Sequence, residues 1–117
     1  MKTALPPGSS SSPELLVLIA ERFRSLGEPT RLRLLDALRP GEKTVTELVE
    51  MTGLGQANVS KHLASLYAAG LVARRRSGLF VYYTIADDRI FRLCDLVCSQ
   101  LDAASLTRRR VIASDAA

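Results

Sequence analysis

The sequence predicts a small, mainly α-helical fold with one β-hairpin. Three observations carry that prediction. Apolar residues recur at three- and four-residue spacing in successive stretches, two β-rich runs flank Ser77-Gly78, and Gly or Pro punctuates the boundaries between them. At 117 residues there is room for one core and none for a second, catalytic domain. Such a core is thin for its surface, so a homodimer that buries apolar surface against a second copy is expected.

Residues 1–12 contain Pro6-Pro7-Gly8 and four consecutive serines, a composition expected to be disordered. Ser12 can cap, and Pro13 can open, a first helix with Leu15, Leu16, Ile19, Phe23 and Leu26 on one side, ending at Gly27. That helix is more apolar than a small core needs, which points to a role between subunits. Glu28-Pro29-Thr30 restarts the chain. Leu32, Leu34, Leu35 and Leu38 give a second short helix, stopped by Pro40-Gly41. Thr44-Val45-Thr46-Glu47 has capping-box spacing and opens a third helix that ends near Thr52-Gly53.

After Gly53-Leu54-Gly55 comes a fourth helix from Gln56 to Ala69, with Val59, Leu63 and Leu66 on its buried face and Gly70 as a left-handed stop. Leu71–Arg76 and Leu79–Ile85 read as the two strands of a hairpin. A fifth helix is expected from about Asp88 to Ala104, followed by a polar tail over 105–117 that carries Arg108-Arg109-Arg110. The domain is thus placed at 13–104.

A helix, a Gly-containing turn and a second helix with three apolar anchors form a helix-turn-helix pattern, and a hairpin directly after it is a wing. The order is four helices, the hairpin and a fifth helix, a winged helix-turn-helix. Charge supports a polyanionic partner. The formal net charge is +4, and from Met51 to Ala86 there are four basic residues, Lys61, Arg74, Arg75 and Arg76, and no acid. The remainder of the chain is balanced, so the whole excess sits in this segment.

On the fourth helix, Ala57, Lys61, Ala64 and Ala68 lie opposite the apolar anchors, with Asn58, Ser60 and Ser65 beside them. A small, acid-free surface of this kind can approach base edges in the major groove, and amides can bond adenine in a bidentate manner. Gln56 and Asn58, at the leading end, are candidate base readers. Ser60, Lys61 and Ser65 suit phosphate or mixed contacts, and Ala57 lies among them. His62 borders the buried face and is read as a packed or phosphate-bonding imidazole. Along the first wing strand, Arg74, Arg75 and Arg76 must alternate between faces, so one of them is open to pairing with an acid of the protein itself.

Leu26-Gly27-Glu28-Pro29-Thr30-Arg31-Leu32-Arg33-Leu34-Leu35, Val59-Ser60-Lys61-His62-Leu63, Gly70-Leu71-Val72 and Val81-Tyr82-Tyr83 together resemble the ArsR/SmtB family of bacterial winged-helix repressors. The resemblance runs from about Leu18 to Leu101. It implies a homodimer through the first and last helices, binding to an imperfectly palindromic DNA operator, and release on sensing a metal ion, metalloid or oxidant.

The family's usual sensing positions are not matched. A Cys-x-Cys pair expected after Glu-Leu on the third helix is replaced by Val49, Glu50 and Met51, which follow Glu47-Leu48. The ligand positions of the last helix correspond to Asp87, Arg89, Gln100 and Ala103, of which only the aspartate could serve. Asp87 is then read as a helix cap, and Arg89 would repel a cation. One departure near the DNA-reading helix is Gly55, where the family often has serine.

Cys94 and Cys98 remain, four residues apart on the fifth helix. They are either small apolar residues in a dimer seam or a pair that senses a thiophilic metal, a metalloid or a redox or sulfur signal. An intrahelical disulfide would be strained, because Cβ atoms at this spacing lie about 5–6 Å apart and a disulfide wants about 3.5–4.5 Å.

One His and two Cys cannot supply a four-ligand zinc site within one chain, and no nucleophile, base and oxyanion set can be assembled, so an enzyme is not expected. Few cysteines, no secretory signal and no apolar run long enough for a membrane span point to the cytoplasm. The alternatives are a ligand-independent repressor with structural cysteines, or a winged helix that binds proteins instead of DNA.

Overall fold

The computed structural model describes residues 12–101 and 105–108. The N-terminal segment expected to be disordered, apart from Ser12, lies outside them, as does most of the polar tail. Two compact units are formed, one reaching to Ala86 and the other starting at Asp87.

In the first unit, α1 runs over Pro13–Leu26, α2 over Pro29–Ala37, α3 over Val45–Thr52 and α4 over Gln56–Ala68. The first three starts each have a side-chain cause. The Ser12 hydroxyl accepts the Leu15 N–H at 3.2 Å, and Pro13 occupies the first turn of α1. The Glu28 carboxylate accepts the N–H groups of Thr30 and Arg31 at 2.7 and 3.2 Å, opening α2. At α3 the capping box is complete: the Thr44 hydroxyl accepts from the Glu47 N–H and the Glu47 carboxylate from the Thr44 N–H.

Gly53 ends α3 at φ 73°, and Gly70, one residue past the Ala69 cap of α4, has φ 77°. Both lie in the left-handed region where a Cβ would be strained.

The wing strands are Val72–Ser77 and Phe80–Ile85. A third strand, Lys43–Thr44, was not anticipated. It pairs antiparallel with the second wing strand, Lys43 opposite Tyr83 and Thr44 opposite Tyr82. Numbering in chain order makes Lys43–Thr44 β1, Val72–Ser77 β2 and Phe80–Ile85 β3, and the sheet order is β1-β3-β2. Two residues carry no alternation to read, which is why β1 is invisible in the sequence. The turn is Gly78-Leu79, with Ser77 opposite Phe80. Gly78 has φ 61° and no non-glycine residue has positive φ, the signature of a type II′ turn.

Leu34 and Leu35 from α2, Leu38 that caps it, Leu48 from α3, and Val59, Leu63 and Leu66 from α4 are fully buried. Leu26, Leu71, Val72 and Tyr83 complete this core, so the anchors that pack α4 also hold the base of the wing.

In the second unit, α5 spans Ile90–Gln100, shorter at both ends than the sequence suggested. Residues 88–89 form a turn, and Leu101 leaves the helix with extended backbone at φ −95° and ψ 133°. No Gly or Pro marks that stop, and nothing local explains it. Residues 105–108 are again helical. No residue of α5 is buried. No helix among the described residues is long and apolar enough to cross a membrane.

Candidate nucleic-acid interface

The four buried side chains of α4 are Val59, His62, Leu63 and Leu66. Packing them against the core turns the rest of the helix outward. Gln56, Ala57, Asn58, Ser60, Lys61, Ala64 and Ala68 are exposed, and Ser65 is half-buried. The leading end is also open. Its cap, Gly55, has no side chain to bond the N–H groups of the first turn, which suits that end to an anionic oxygen.

His62 departs from the group. It is only 8% exposed, and its Nδ1 accepts a hydrogen bond from Arg31 Nε at 3.2 Å. Arg31 also donates from Nη1 to the Ser25 carbonyl at 3.3 Å. The imidazole therefore joins α4 to the start of α2 and the end of α1, and the structure does not bring it to the outward face with the other candidates. Of the two roles expected for His62, the packed one matches this placement.

The three wing arginines separate as strand alternation requires. Arg75 is paired within the protein, donating from Nε and Nη2 to the two Glu42 carboxylate oxygens at 2.9 and 2.6 Å. Its guanidinium also lies 4.8 Å from the Tyr82 ring centroid. That hydrogen bonding holds the Glu42 carboxyl below its ordinary value and raises Arg75.

Arg74 and Arg76 take the opposite face. Arg74 stacks over Tyr67 of α4 at 4.0 Å, a contact that fastens the wing to the outward side of the helix. Arg76, near the strand end, is exposed. Glu42 and Tyr67 were missed by sequence reasoning. Glu42 lies 33 residues from its partner, beyond any local spacing rule, whereas an exposed aromatic at the end of α4 could have been noticed.

In the second unit, the Asp87 carboxylate accepts the Arg89 N–H at 3.0 Å and pairs with the Arg89 guanidinium at 2.6 Å. It caps the turn that leads into α5, while the helix proper begins behind Arg89 without a side-chain cap. Cys94 is half-buried and Cys98 exposed, and both are free thiols. No group of three or more His, Cys, Asp and Glu side chains placed to hold a metal ion is found among the described residues.

The model of bacterial regulatory proteins of the arsR family matches residues 28–74, from the cap of α2 to the first wing arginine. The probable mercury resistance operon repressor of Streptomyces lividans is 41% identical over 87 residues, covering 74% of this chain and 70% of that protein. The chain belongs to the ArsR family. Its fold is shared with solved ArsR-type domains. The homodimeric winged helix-turn-helix DNA-binding domain of a possible ArsR-family regulator from Mycobacterium bovis superposes with a TM-score of 0.67 at 33% identity, covering 83% of this chain and 88% of that one. Rv0081 of Mycobacterium tuberculosis superposes at 0.65 with 35% identity, covering 92% of this chain and all of that one. The ArsR relatives are transcriptional regulators, so the chain is a regulator with a winged helix-turn-helix and not an enzyme.

Proposed function

We propose that this ArsR-family chain is a homodimeric repressor whose two α4 helices enter successive major grooves of an imperfectly palindromic operator, about 34 Å apart. The observation that carries the reading is the outward face of α4. It is small, polar and charged only at Lys61, and it adjoins a wing whose own sequence has no acid and which offers Arg74 and Arg76 on the face away from Glu42. Gln56 and Asn58 read bases; Ser60, Lys61 and Ser65, with Ala57 between them, and the wing arginines hold the backbone.

Dimerisation through α1 and α5 is supported by their uncovered apolar surface. Leu16 and Phe23 on α1 are 51% and 53% exposed, and Leu96 on α5 is 65% exposed. Apolar side chains so uncovered on two helices call for a partner surface. The related M. bovis domain is homodimeric, which agrees with a second copy as that partner.

The signal is assigned to Cys94 and Cys98, which present two thiols on one helix face to a thiophilic metal or metalloid ion, or to a redox or sulfur reagent. The S. lividans relative carries mercury resistance in its name, an ion of that class. Binding at α5 releases DNA only through unequal affinity for the two dimer states. The cell compartment consistent with free thiols and DNA binding is the cytoplasm.

A mobility shift on the DNA upstream of the chain's own gene tests the DNA reading. The wild type should bind with an affinity that falls steeply with salt, and Gln56→Ala with Asn58→Ala should bind this site no better than unrelated DNA. A wild type that binds no DNA, or binds without salt dependence, favours a winged helix that docks proteins.

A further inference from the structure

We propose that the wing tip is an apolar wedge for the DNA minor groove, with Leu79 as the inserted side chain and Phe80 behind it. This rests on the DNA-binding reading above and adds a contact of a different kind. Leu79 is 94% exposed and Phe80 58%, side by side at the end of the hairpin. One exposed leucine on a mobile loop would need no explanation. These two sit at the end of a braced element.

The bracing is continuous along one face of the hairpin. The Phe80 and Tyr82 rings lie 6.5 Å apart at 52°, the Arg75 guanidinium stacks on Tyr82, and Glu42 clamps Arg75 from the segment before β1. The type II′ turn at Gly78 then fixes Leu79 at the tip. Six paired residues on each strand give a hairpin about 20 Å long, longer than the roughly 12 Å width of a major groove.

Charge selects the occupant. Leu71 to Ala86 contains no acid, and Arg74 and Arg76 line the face opposite the clamp, so the apolar tip is carried on a cationic stem. A second apolar protein surface does not ask for that stem; a phosphate-walled groove does. The minor groove is about 6 Å wide, and proteins that enter it with Leu or Phe unstack a base step and bend the duplex.

The test compares wild type and Leu79→Ser, as full-length proteins, on an end-labelled duplex from upstream of the chain's own gene. Affinity is read by fluorescence anisotropy and bending by energy transfer between the two ends. The substitution touches a side chain that packs on almost nothing, so circular dichroism and melting should not change. Affinity should fall about tenfold and the bend should diminish, while the slope of affinity against salt stays the same because no charge is removed.

Equal affinity and equal bending in the two proteins overturn the wedge and leave the DNA reading standing. A wild type that fails to bind the duplex overturns both. A Leu79→Ser protein that changes only its mass in solution assigns the tip to self-association, which also overturns the wedge.

Discussion

Arg75 and Glu42 form a two-bond ion pair, 2.9 and 2.6 Å, that ties β2 to the residue preceding β1. Both partners are exposed, so the pair contributes little to stability. Its effect is on the wing's charge, since one of three consecutive arginines is neutralised before any ligand arrives. Glu42→Gln should therefore tighten DNA binding and steepen its salt dependence by roughly one unit of slope per protomer. Anisotropy titrations at several salt concentrations check this; an unchanged slope would mean that Arg75 faces away from DNA even when released.

The same pair sets a pH dependence with a definite sign. Hydrogen bonding from Arg75 is the chief cause that lowers the Glu42 pKa from its ordinary value of 4.5. A carboxylate with a depressed folded pKa supports the fold above its unfolded value and loses that support as pH falls through the lowered one. The clamp is thus intact at neutral pH and opens only in acid. Following the Glu42 carboxyl by NMR should give a midpoint below that of free glutamate, and Arg75→Ala should move it back up.

His62 gives a contrasting expectation, because its partner is inside the protein. Its Nδ1 accepts from Arg31 Nε at 3.2 Å, a contact between α4 and α2 that no DNA is needed to complete. His62→Ala opens a cavity and leaves the Arg31 Nε donor without its acceptor, which should lower stability by about 2 kcal/mol. DNA affinity measured well below the melting temperature should stay within about twofold of wild type. A large affinity loss in a stable variant would instead assign the imidazole to a phosphate.

Which features the sequence disclosed follows from the range of the interactions involved. The caps at Ser12 and Thr44, the glycine stops at Gly53 and Gly70, and the apolar face of α4 depend on residues within four positions of each other, and all were legible. The outward face of α4 followed from the inward one. Strand alternation in turn implied that one of Arg74, Arg75 and Arg76 would leave the group, but not which. That choice belongs to Glu42, brought near by the pairing of β1 with β3, and a two-residue strand leaves no periodic trace. The end of α5 at Gln100 escaped for a different reason: the residues around it continue the helical pattern and contain no breaker.

Gly55 offers a test of how α4 begins. It caps the helix at φ −68° and ψ 149°, a conformation open to any residue, and a Cβ there would meet nothing within 4 Å. Gly55→Ser should supply the missing acceptor for a first-turn N–H and raise stability by a few tenths of a kcal/mol. The serine hydroxyl would then occupy an N–H that the wild type leaves open at the leading end of α4. If that end holds a phosphate, the more stable variant binds DNA no more tightly than wild type; chemical denaturation and anisotropy on one preparation separate the two effects.

The thiol pair makes the sharpest demand on the proposed signal. Cys94 and Cys98 are one helical turn apart, Cys94 half-buried and Cys98 exposed. Two thiolates on one face can close on a single thiophilic ion without breaking the helix, whereas a direct disulfide would have to shorten the Cβ separation by about 0.5–2.5 Å. Mercury(II) or arsenite should therefore release DNA from the wild type, and Cys94→Ser and Cys98→Ser should each lose most of that response, since either serine leaves one thiolate to hold the ion. Peroxide and persulfide, tested beside the ions, distinguish chelation from oxidation or sulfur addition. The double serine variant should bind the operator as the wild type does and ignore every reagent. A double variant that still responds would place the sensor elsewhere and return both cysteines to packing.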